Sequence, residues 1–476
     1  MASRRSRRAW ALVVLAGALS GGVGWSPAWA APDLPEVPVP SQGDILDVKA
    51  KPVLTWSTPK RYQAGWLAYR EGVGGGTYSP SYPTPAGWSV DLDGCSSTST
   101  YRITHYTFEI VRSGTLPPGT PRSSKITTGS CKASFDRLPR EGAYQTSLTL
   151  RTSLGVSEVL RQTIVLRDHL IVSIGDSYAA GEGNPDRAGE HRFTYDAGTW
   201  YPTGIATVRP EVWRDRRCHR SALSGPARAA QAIEDADPHS SVTFLSFACS
   251  GARIGHLVDQ RYAGIEPVPG QTVEPQVEAV RRALGLGTAR GTRTIDALMV
   301  SAGGNDMDFA DIVEDCAANV DVPLYPDKNC VKDRGIEANL DSLDGRFDRL
   351  ARAIRTRLPG TSGVHLAEYP ADLFRGGGCG QLRGISSGEA ADMRWLGLRI
   401  NARLARAADE HAGDRWRRVP SVTKEFEPHA YCAAQRWFVS YEASLGMQGD
   451  ILGTAHPNAG GHAAYARVLR QSVQLG

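Results

Sequence analysis

Two side chains, far apart in the sequence, could perform nucleophilic acyl transfer together. Ser177 lies in Gly175-Asp176-Ser177, directly after an apolar run, and His456 lies in a loop sequence because Pro457 disfavours helical geometry there. A serine hydroxyl is a weak nucleophile until a base takes its proton, and histidine does this near neutral pH. Each residue alone has an ordinary interpretation, as a turn serine or an idle loop histidine, so only their combination predicts catalysis.

Acyl transfer also needs hydrogen-bond donors where negative charge develops on the carbonyl oxygen. Two further apolar runs are followed by suitable groups, the backbone N–H of Gly251 and the side-chain amide of Asn305. The carboxyl ends of parallel strands meet at one edge of a sheet, so Ser177, Gly251 and Asn305 are expected to lie together there.

These blocks resemble the SGNH or GDSL hydrolase family, and the resemblance covers roughly residues 168–476. Its blocks match Gly175-Asp176-Ser177, Gly251, Gly303-Gly304-Asn305-Asp306 and His456. The resemblance implies that Ser177 is the nucleophile and also gives a backbone donor, that Gly251 and Asn305 complete the oxyanion hole, and that His456 is the base. The sequence is most similar to the secreted actinobacterial branch of lipases and esterases. Such a mechanism needs no metal and no organic cofactor.

One departure from the family concerns the group that orients the histidine. Many members hold an aspartate three residues before it, where this chain has Gly453. The third member of the catalytic group orients the imidazole and stabilises its cation. Two substitutes are open, the backbone carbonyl of Gly453, which we favour, and the carboxylate of Asp450.

The elements that must position these groups form two predicted domains. Apolar runs such as Leu170–Ile174 alternate with helical patterns, which predicts a three-layer α/β/α domain over residues 168–476 with a parallel, flavodoxin-like sheet. Residues 45–167 alternate with period two between Gly and Pro clusters, which predicts an all-β sandwich. Glu141-Gly142-Ala143-Tyr144 resembles the tyrosine corner of immunoglobulin-like domains.

The N-terminus has the pattern of an export signal. Residues 1–30 hold four arginines, an apolar run and a small-residue site at Ala28-Trp29-Ala30, which predicts a signal peptide cleaved near Ala30. A Pro-rich linker over residues 31–44 follows. The net charge of +4 lies entirely in the signal, so the mature chain is neutral and offers no electrostatic argument for nucleic-acid binding. The apolar run is too short for a stable membrane anchor. The export route, general secretory or twin-arginine, stays open.

Eight cysteines in an exported chain predict disulfides. Pairing sequence neighbours is the simplest of about 105 connectivities. The absence of CxxC motifs and the wide spacings argue against a metal cluster. The pairs are Cys95–Cys131, Cys218–Cys249, Cys316–Cys330 and Cys379–Cys432, of which the last three are similar to the family's pattern.

We therefore expect a secreted, monomeric carboxylic ester hydrolase. Its substrate is a lipid ester or an O-acyl group on a glycan, and the sequence does not choose between them. Two alternatives stay open. An acyltransferase would use the same acyl-enzyme with an alcohol in place of water, and a non-catalytic extracellular binding module would have lost the third member of its site.

Overall fold

The computed structural model describes residues 50–71, 76–112, 123–197, 199, 202–288, 293–318, 330–331 and 335–475. The predicted signal peptide and linker lie outside these residues. The strands are β1 (Ala50–Lys51), β2 (Thr55–Ser57), β3 (Tyr69–Arg70), β4 (Thr77–Tyr78), β5 (Trp88–Asp93), β6 (Thr98–Ser99), β7 (Ile103–Arg112), β8 (Ser123–Thr128), β9 (Lys132–Leu138), β10 (Gly142–Thr152), β11 (Leu160–Gly175), β12 (Glu190–Thr194), β13 (Gly204–Arg209), β14 (Ser240–Ser246), β15 (Ala297–Ser301), β16 (Val364–Ala367) and β17 (Trp416–Val419). The helices are α1 (Tyr62–Ala68), α2 (Ser177–Ala180), α3 (Gly225–Ala236), α4 (Ile254–Val258), α5 (Gln276–Ala283), α6 (Phe309–Ala318), α7 (Ile336–Arg357), α8 (Ser387–Glu410), α9 (Val422–Phe426), α10 (Tyr441–Gln448) and α11 (Ala459–Ser472).

A parallel sheet forms the centre of the part of the chain that begins at about residue 168, called the α/β half below. Its strands run in the order β17, β16, β15, β11 and β14, and each neighbouring pair is parallel. All residues of β14, β15 and β16 are buried, as expected for strands covered on both faces. Two groups of helices pack on the sheet. One group consists of α3 and α11, and the other consists of α4, α5, α7 and α8. The predicted α/β class with a mostly parallel sheet is confirmed.

The strands that precede Asp168 form antiparallel sheets, and this part of the chain is called the antiparallel half below. Strands β2, β5 and β9 make one sheet, while β8, β7, β10 and the first part of β11 make another. Side chains from both sheets share one hydrophobic core, which includes Leu92, Phe108 and Leu148. The Tyr144 hydroxyl donates to the Arg140 carbonyl at 2.6 Å.

A single strand, β11, belongs to both halves. Its first residues pair with β10, and its later residues pair with β14 and β15 up to Gly175. Asp168 lies where the pairing changes and is buried. Its carboxylate forms ion pairs with Arg61 at 3.0 Å and Arg293 at 2.9 Å, so its buried charge is compensated. The strand that ends at the candidate nucleophile is thus anchored in the antiparallel region.

Residues 62–71 and 76–82, although N-terminal to most of the antiparallel strands, cover the free edge of β14. The hydroxyl oxygens of Tyr82 and Tyr78 accept the backbone N–H groups of Phe244 at 3.0 Å and Ser246 at 2.8 Å. Tyr62 packs against the Phe244 ring at 5.9 Å. Side chains therefore satisfy backbone donors that an exposed edge strand would leave open.

The eight cysteines form the four pairs named above, Cys95–Cys131, Cys218–Cys249, Cys316–Cys330 and Cys379–Cys432. Three of them lie in the α/β half, and the first connects the end of β5 to the start of β9. Within the residues that the structure describes, no helix has the length and apolar character needed to cross a membrane.

Candidate active site

Ser177 is placed by a sharp turn between β11 and α2. Gly175 has φ +140°, and a Cβ there would lie 2.1 Å from the Ser301 carbonyl oxygen, so only glycine fits. Asp176 is the N-cap of α2, and its carboxylate accepts the Tyr178 N–H at 3.1 Å. This geometry sets Ser177 at the N-terminus of a helix at the carboxyl end of a central strand.

His456 reaches Ser177 from the other end of the domain. Its Nε2 atom lies 2.9 Å from the Ser177 Oγ atom. The loop that carries His456 is fixed on its C-terminal side by Asn458, the N-cap of α11, whose side chain accepts the N–H groups of Gly460 and Gly461. The structure therefore brings together the two residues on which the sequence prediction of catalysis depends.

The group that faces the other ring nitrogen differs from both expectations. The Nδ1 atom of His456 lies 3.2 Å from the carbonyl oxygen of Thr454. The Gly453 carbonyl accepts the backbone N–H of His456 at 3.1 Å, and the Asp450 carboxylate accepts the Leu452 N–H at 2.9 Å. The structure thus places the Thr454 carbonyl, and neither the Gly453 carbonyl nor the Asp450 carboxylate, beside Nδ1, and the identity of the orienting group stays a prediction.

The physical reason lies at Ala455, whose φ of +64° reverses the chain just before His456. This reversal turns the Thr454 carbonyl toward the ring that follows it. A carbonyl oxygen only accepts hydrogen bonds, so Nδ1 must carry the proton. In the neutral ring Nε2 is then the unprotonated nitrogen, which can accept the Ser177 hydroxyl.

The predicted oxyanion donors share one cavity with Ser177 and His456. The cavity has a volume of about 240 Å³, and both Gly251 and Asn305 line it. Among the described residues the N–H groups of Ser177 and Gly251 have no acceptor, and the Asn305 amide uses one N–H on the Ala252 carbonyl at 3.0 Å. Three donors are thus available to a ligand oxygen.

Gly251 cannot be replaced without a shift of its neighbours. It has φ +77°, and a Cβ would lie 2.3 Å from the Tyr262 hydroxyl oxygen, which itself donates to the Ser250 carbonyl at 3.0 Å. The turn after β14 therefore requires glycine both for its conformation and for the space beside it.

Burial sets the proton affinity of the site. Desolvation lowers the pKa of His456 below its ordinary value, while the charge of Glu182 and the Thr454 carbonyl partly oppose this. Burial raises the pKa of Asp176 to about 6, although Tyr369, Ser301 and the Tyr178 N–H all donate to its carboxylate. His456 is therefore neutral near pH 7, as a general base must be.

Apolar side chains form most of the cavity wall. They come from α6, from the segment that follows β16, from α8 and α10, and from the loop before His456. These residues are Phe309, Val313, Ala317, Leu373, Leu382, Ile400, Tyr441, Ile451 and Leu452. An apolar wall with a few convergent donors at one end is suited to a ligand with a hydrocarbon part.

Two features of the site were not predicted from the sequence. Thr454 gave no signal, since its role depends on the backbone turn at Ala455. Glu182 is fully buried (0% exposed), and Ser250, Gln448 and His219 all contact its carboxylate. Its position between Gly181 and Gly183, directly after the serine block, is a local feature that marks it in the sequence.

No metal site emerges among the described residues. The one group of potential ligands consists of Cys316, Cys330 and Glu389, and its two sulfur atoms are bonded to each other. A disulfide offers no thiolate to a metal ion.

Comparisons with known proteins identify the family of this chain. Residues 173–464 match the GDSL-like Lipase/Acylhydrolase family. A lipase from Streptomyces rimosus is 26% identical over 348 residues, which is 71% of this chain and 100% of that protein.

Two solved structures are also similar to this chain. The crystal structure of an extracellular lipase from Streptomyces rimosus has a TM-score of 0.43 at 24% identity, over 64% of this chain and 100% of that one. The crystal structure of phospholipase A1 from Streptomyces albidoflavus NA297 has a TM-score of 0.41 at 22% identity, over 64% and 99%. The family match spans more than half of the chain and contains Ser177, Gly251, Asn305 and His456. The chain therefore belongs to the GDSL-like lipase/acylhydrolase family and is a carboxylic ester hydrolase.

Proposed function

We propose that this hydrolase is a secreted serine esterase that acts on lipid esters through an acyl-enzyme. The observation that carries the proposal is the 2.9 Å distance between Ser177 Oγ and His456 Nε2. It lies within the range expected between a nucleophile and its base.

In the first half-reaction, His456 Nε2 takes the Ser177 proton while Oγ bonds to the ester carbonyl carbon. The carbonyl electron pair moves to its oxygen, which receives hydrogen bonds from the Ser177 and Gly251 N–H groups and the Asn305 amide. The carbon–oxygen bond to the alcohol then breaks, and the leaving oxygen takes the proton from His456.

In the second half-reaction, a water molecule gives its proton to the same Nε2 and bonds to the acyl carbon. The bond between that carbon and Ser177 Oγ breaks, and Oγ recovers the proton from His456. The Thr454 carbonyl, 3.2 Å from Nδ1, holds the ring in the required tautomer throughout. A Ser–His dyad with a backbone carbonyl thus replaces a triad with a carboxylate.

The apolar cavity supports a lipid ester over an acetylated glycan. An acetyl group would leave most of the 240 Å³ unfilled, whereas each methylene buried there contributes about 0.8 kcal/mol to binding. Ile451 lines the cavity and is 40% exposed, which gives the cavity an apolar border toward solvent. The curated relative from Streptomyces rimosus is named a lipase.

The remaining parts of the proposal concern domains and location. Four disulfides support export, because such bonds persist in oxidising compartments. The shared core of the two antiparallel sheets supports an immunoglobulin-like sandwich over residues 45–167, ahead of a hydrolase domain over residues 168–476, with Tyr62, Tyr78 and Tyr82 packed in the hydrolase core instead. We further propose a monomer that is released after cleavage near Ala30.

The test measures kcat/KM on p-nitrophenyl acetate, butyrate, octanoate and palmitate. We expect the value to rise from acetate and to peak where the chain fills the cavity, and Ser177→Ala to abolish it. Val313→Trp, which narrows the cavity wall, should move the peak to shorter chains, whereas the matched Val313→Ala should not. A maximum at acetate in the wild type would contradict the lipid assignment. Transfer of the acyl group to added glycerol in preference to water would identify an acyltransferase.

A further inference from the structure

Glu182 lies in a turn that packs directly on the candidate active site. It follows α2 and sits between Gly181 (φ +107°) and Gly183 (φ +84°). A Cβ at Gly183 would lie 2.8 Å from the Pro457 carbonyl oxygen and 3.2 Å from the His456 Cβ. The turn that holds Glu182 is therefore in contact with the loop of the proposed base.

The carboxylate of Glu182 is bonded to two other segments of the site. Ser250, which directly precedes Gly251, donates its hydroxyl to Oε2 at 2.6 Å. Gln448, the last residue of α10, donates its amide to Oε1 at 2.7 Å. These bonds connect the turn that holds Glu182 to the turn that carries Gly251 and to the start of the loop that carries His456.

Gln448 extends this connection in two ways. Its own amide oxygen accepts the Gly183 N–H at 3.1 Å, so side chain and turn bond to each other reciprocally. Gly453 packs so closely on Gln448 that a Cβ there would lie 2.3 Å from the amide oxygen. The loop from Gly453 to His456 thus rests on a side chain that Glu182 holds in place.

The protonated ring of His219 stabilises the ionised form of Glu182. The two ring nitrogens of His219 face carboxylates, Glu182 at 2.9 Å and Glu266 at 2.9 Å, so both carry protons and the ring is a cation. Although burial opposes charge on both groups, their mutual attraction raises the pKa of His219 to about 10 and lowers that of Glu182 to about 2. Trp213 stacks on the ring at 4.4 Å.

Other titratable groups also face this network. The Glu182 carbonyl accepts from His462 Nε2 at 3.1 Å, and burial lowers the pKa of His462 to about 4, so that ring is neutral. Asp450 feels the charges of Glu182, His219 and Glu266, and burial raises its pKa to about 6. The charge of Glu182 raises the proton affinity of His456, whereas that of His219 lowers it.

We propose that Glu182 is a positioning residue for the esterase reaction. It ties the segments that carry Ser177, Gly251 and His456 to one buried carboxylate. It also supplies a fixed negative charge that stabilises the imidazolium of His456, which has only a backbone carbonyl at Nδ1. The role rests on the proposed function, because it acts through the Ser177–His456 pair.

The test is Glu182→Gln, which keeps the size of the side chain and an acceptor oxygen but removes the charge. Active sites are counted by titration with a p-nitrophenyl phosphonate, so that misfolded protein does not enter kcat. We expect kcat per site to fall at least about tenfold with KM nearly unchanged. The acidic limb of the kcat profile should move to lower pH, because the charge that favours protonated His456 is gone.

Two further variants separate positioning from stability. Glu234 is also buried (2% exposed) and accepts the N–H groups of Tyr62 and Val242, and it does not line the cavity. Glu234→Gln should lower the melting temperature but leave kcat per site and the acidic limb unchanged. Glu182→Asp keeps the charge and should retain the wild-type position of the limb.

Wild-type kcat per site and an unmoved acidic limb in Glu182→Gln would overturn the proposal, whatever the loss of stability. If that variant does not fold, Ser250→Ala, which removes a single bond to the carboxylate, should lower kcat several-fold, and wild-type kcat would overturn the proposal. NMR titration of the His456 ring in the wild type and Glu182→Gln needs no substrate. It therefore tests the charge effect even if the proposed ester turnover, tested separately by Ser177→Ala, fails.

Discussion

The Nδ1 atom of His456 faces the carbonyl oxygen of Thr454 at 3.2 Å, at the place where a triad enzyme has a carboxylate. A carbonyl fixes the tautomer of the ring as a carboxylate does, but it carries only a partial charge. The stabilisation of the imidazolium must then come from more distant groups. This relationship determines which substitutions should affect the reaction.

Asp450→Asn should leave kcat/KM within about threefold of the wild type. The Asp450 carboxylate accepts the Leu452 N–H at 2.9 Å, a bond that an asparagine oxygen also makes, and it does not contact His456. Steady-state hydrolysis of a p-nitrophenyl ester checks this. A hundredfold loss would instead identify Asp450 as the third member of a triad.

Asn305→Ala should lower kcat by about 10²–10³-fold with little change in KM. The Asn305 amide lines the cavity beside Ser177 and keeps one N–H free of its bond to Ala252. A donor aimed at the oxyanion acts mainly in the transition state. Asn339→Ala on α7, outside the cavity, is the matched control and should retain wild-type kcat. A change in KM alone would assign Asn305 to substrate binding.

When kcat/KM is plotted against pH, the midpoint of its rise on the acidic side should lie below 6.5, the ordinary pKa of histidine. Only the neutral ring can accept the Ser177 proton, so activity rises as pH increases through the pKa of His456. Because burial lowers that pKa, the rise occurs at lower pH than for an exposed histidine. A pH profile of ester hydrolysis measures the midpoint, and a limb above pH 7 would be inconsistent with a desolvated His456.

Removal of the Cys379–Cys432 bridge should affect both stability and substrate preference. The bridge fixes the segment that contains Leu373 and Leu382, which line the cavity. Cys379→Ala with Cys432→Ala should lower the free energy of unfolding by about 2–4 kcal/mol and reduce octanoate turnover more than acetate turnover. Denaturant unfolding and the ratio of the two rates are the measurements.

The matched control for this prediction removes Cys95–Cys131, which lies in the antiparallel half. That double variant should lose stability while the ratio of octanoate to acetate turnover stays at the wild-type value. Equal changes of the ratio in both double variants would contradict the prediction, because the Cys379–Cys432 bridge would then have no specific effect on the cavity.

The parts of the site that local sequence patterns encode could be predicted from the sequence. Ser177, Gly251 and Asn305 each follow a buried apolar strand, and Pro457 marks the loop of His456. Because parallel strands end at one edge of a sheet, the meeting of these residues follows from the fold class.

Other features depend on conformation or on distant partners and leave no local pattern. The choice of Thr454 over Gly453 depends on the positive φ of Ala455, which a non-glycine residue rarely adopts. The partners of Glu182 come from separate segments of the chain. Likewise, Tyr78 and Tyr82 cap the edge of β14 through contacts that only the tertiary structure creates.

The most direct test of the Ser177–His456 pair is covalent labelling followed by mass spectrometry. A p-nitrophenyl phosphonate reacts only with a serine whose proton a base removes. We predict one adduct per chain, located on Ser177, formed rapidly by the wild type and lost in both Ser177→Ala and His456→Ala. An adduct on another serine, or undiminished ester hydrolysis by Ser177→Ala, would contradict the account.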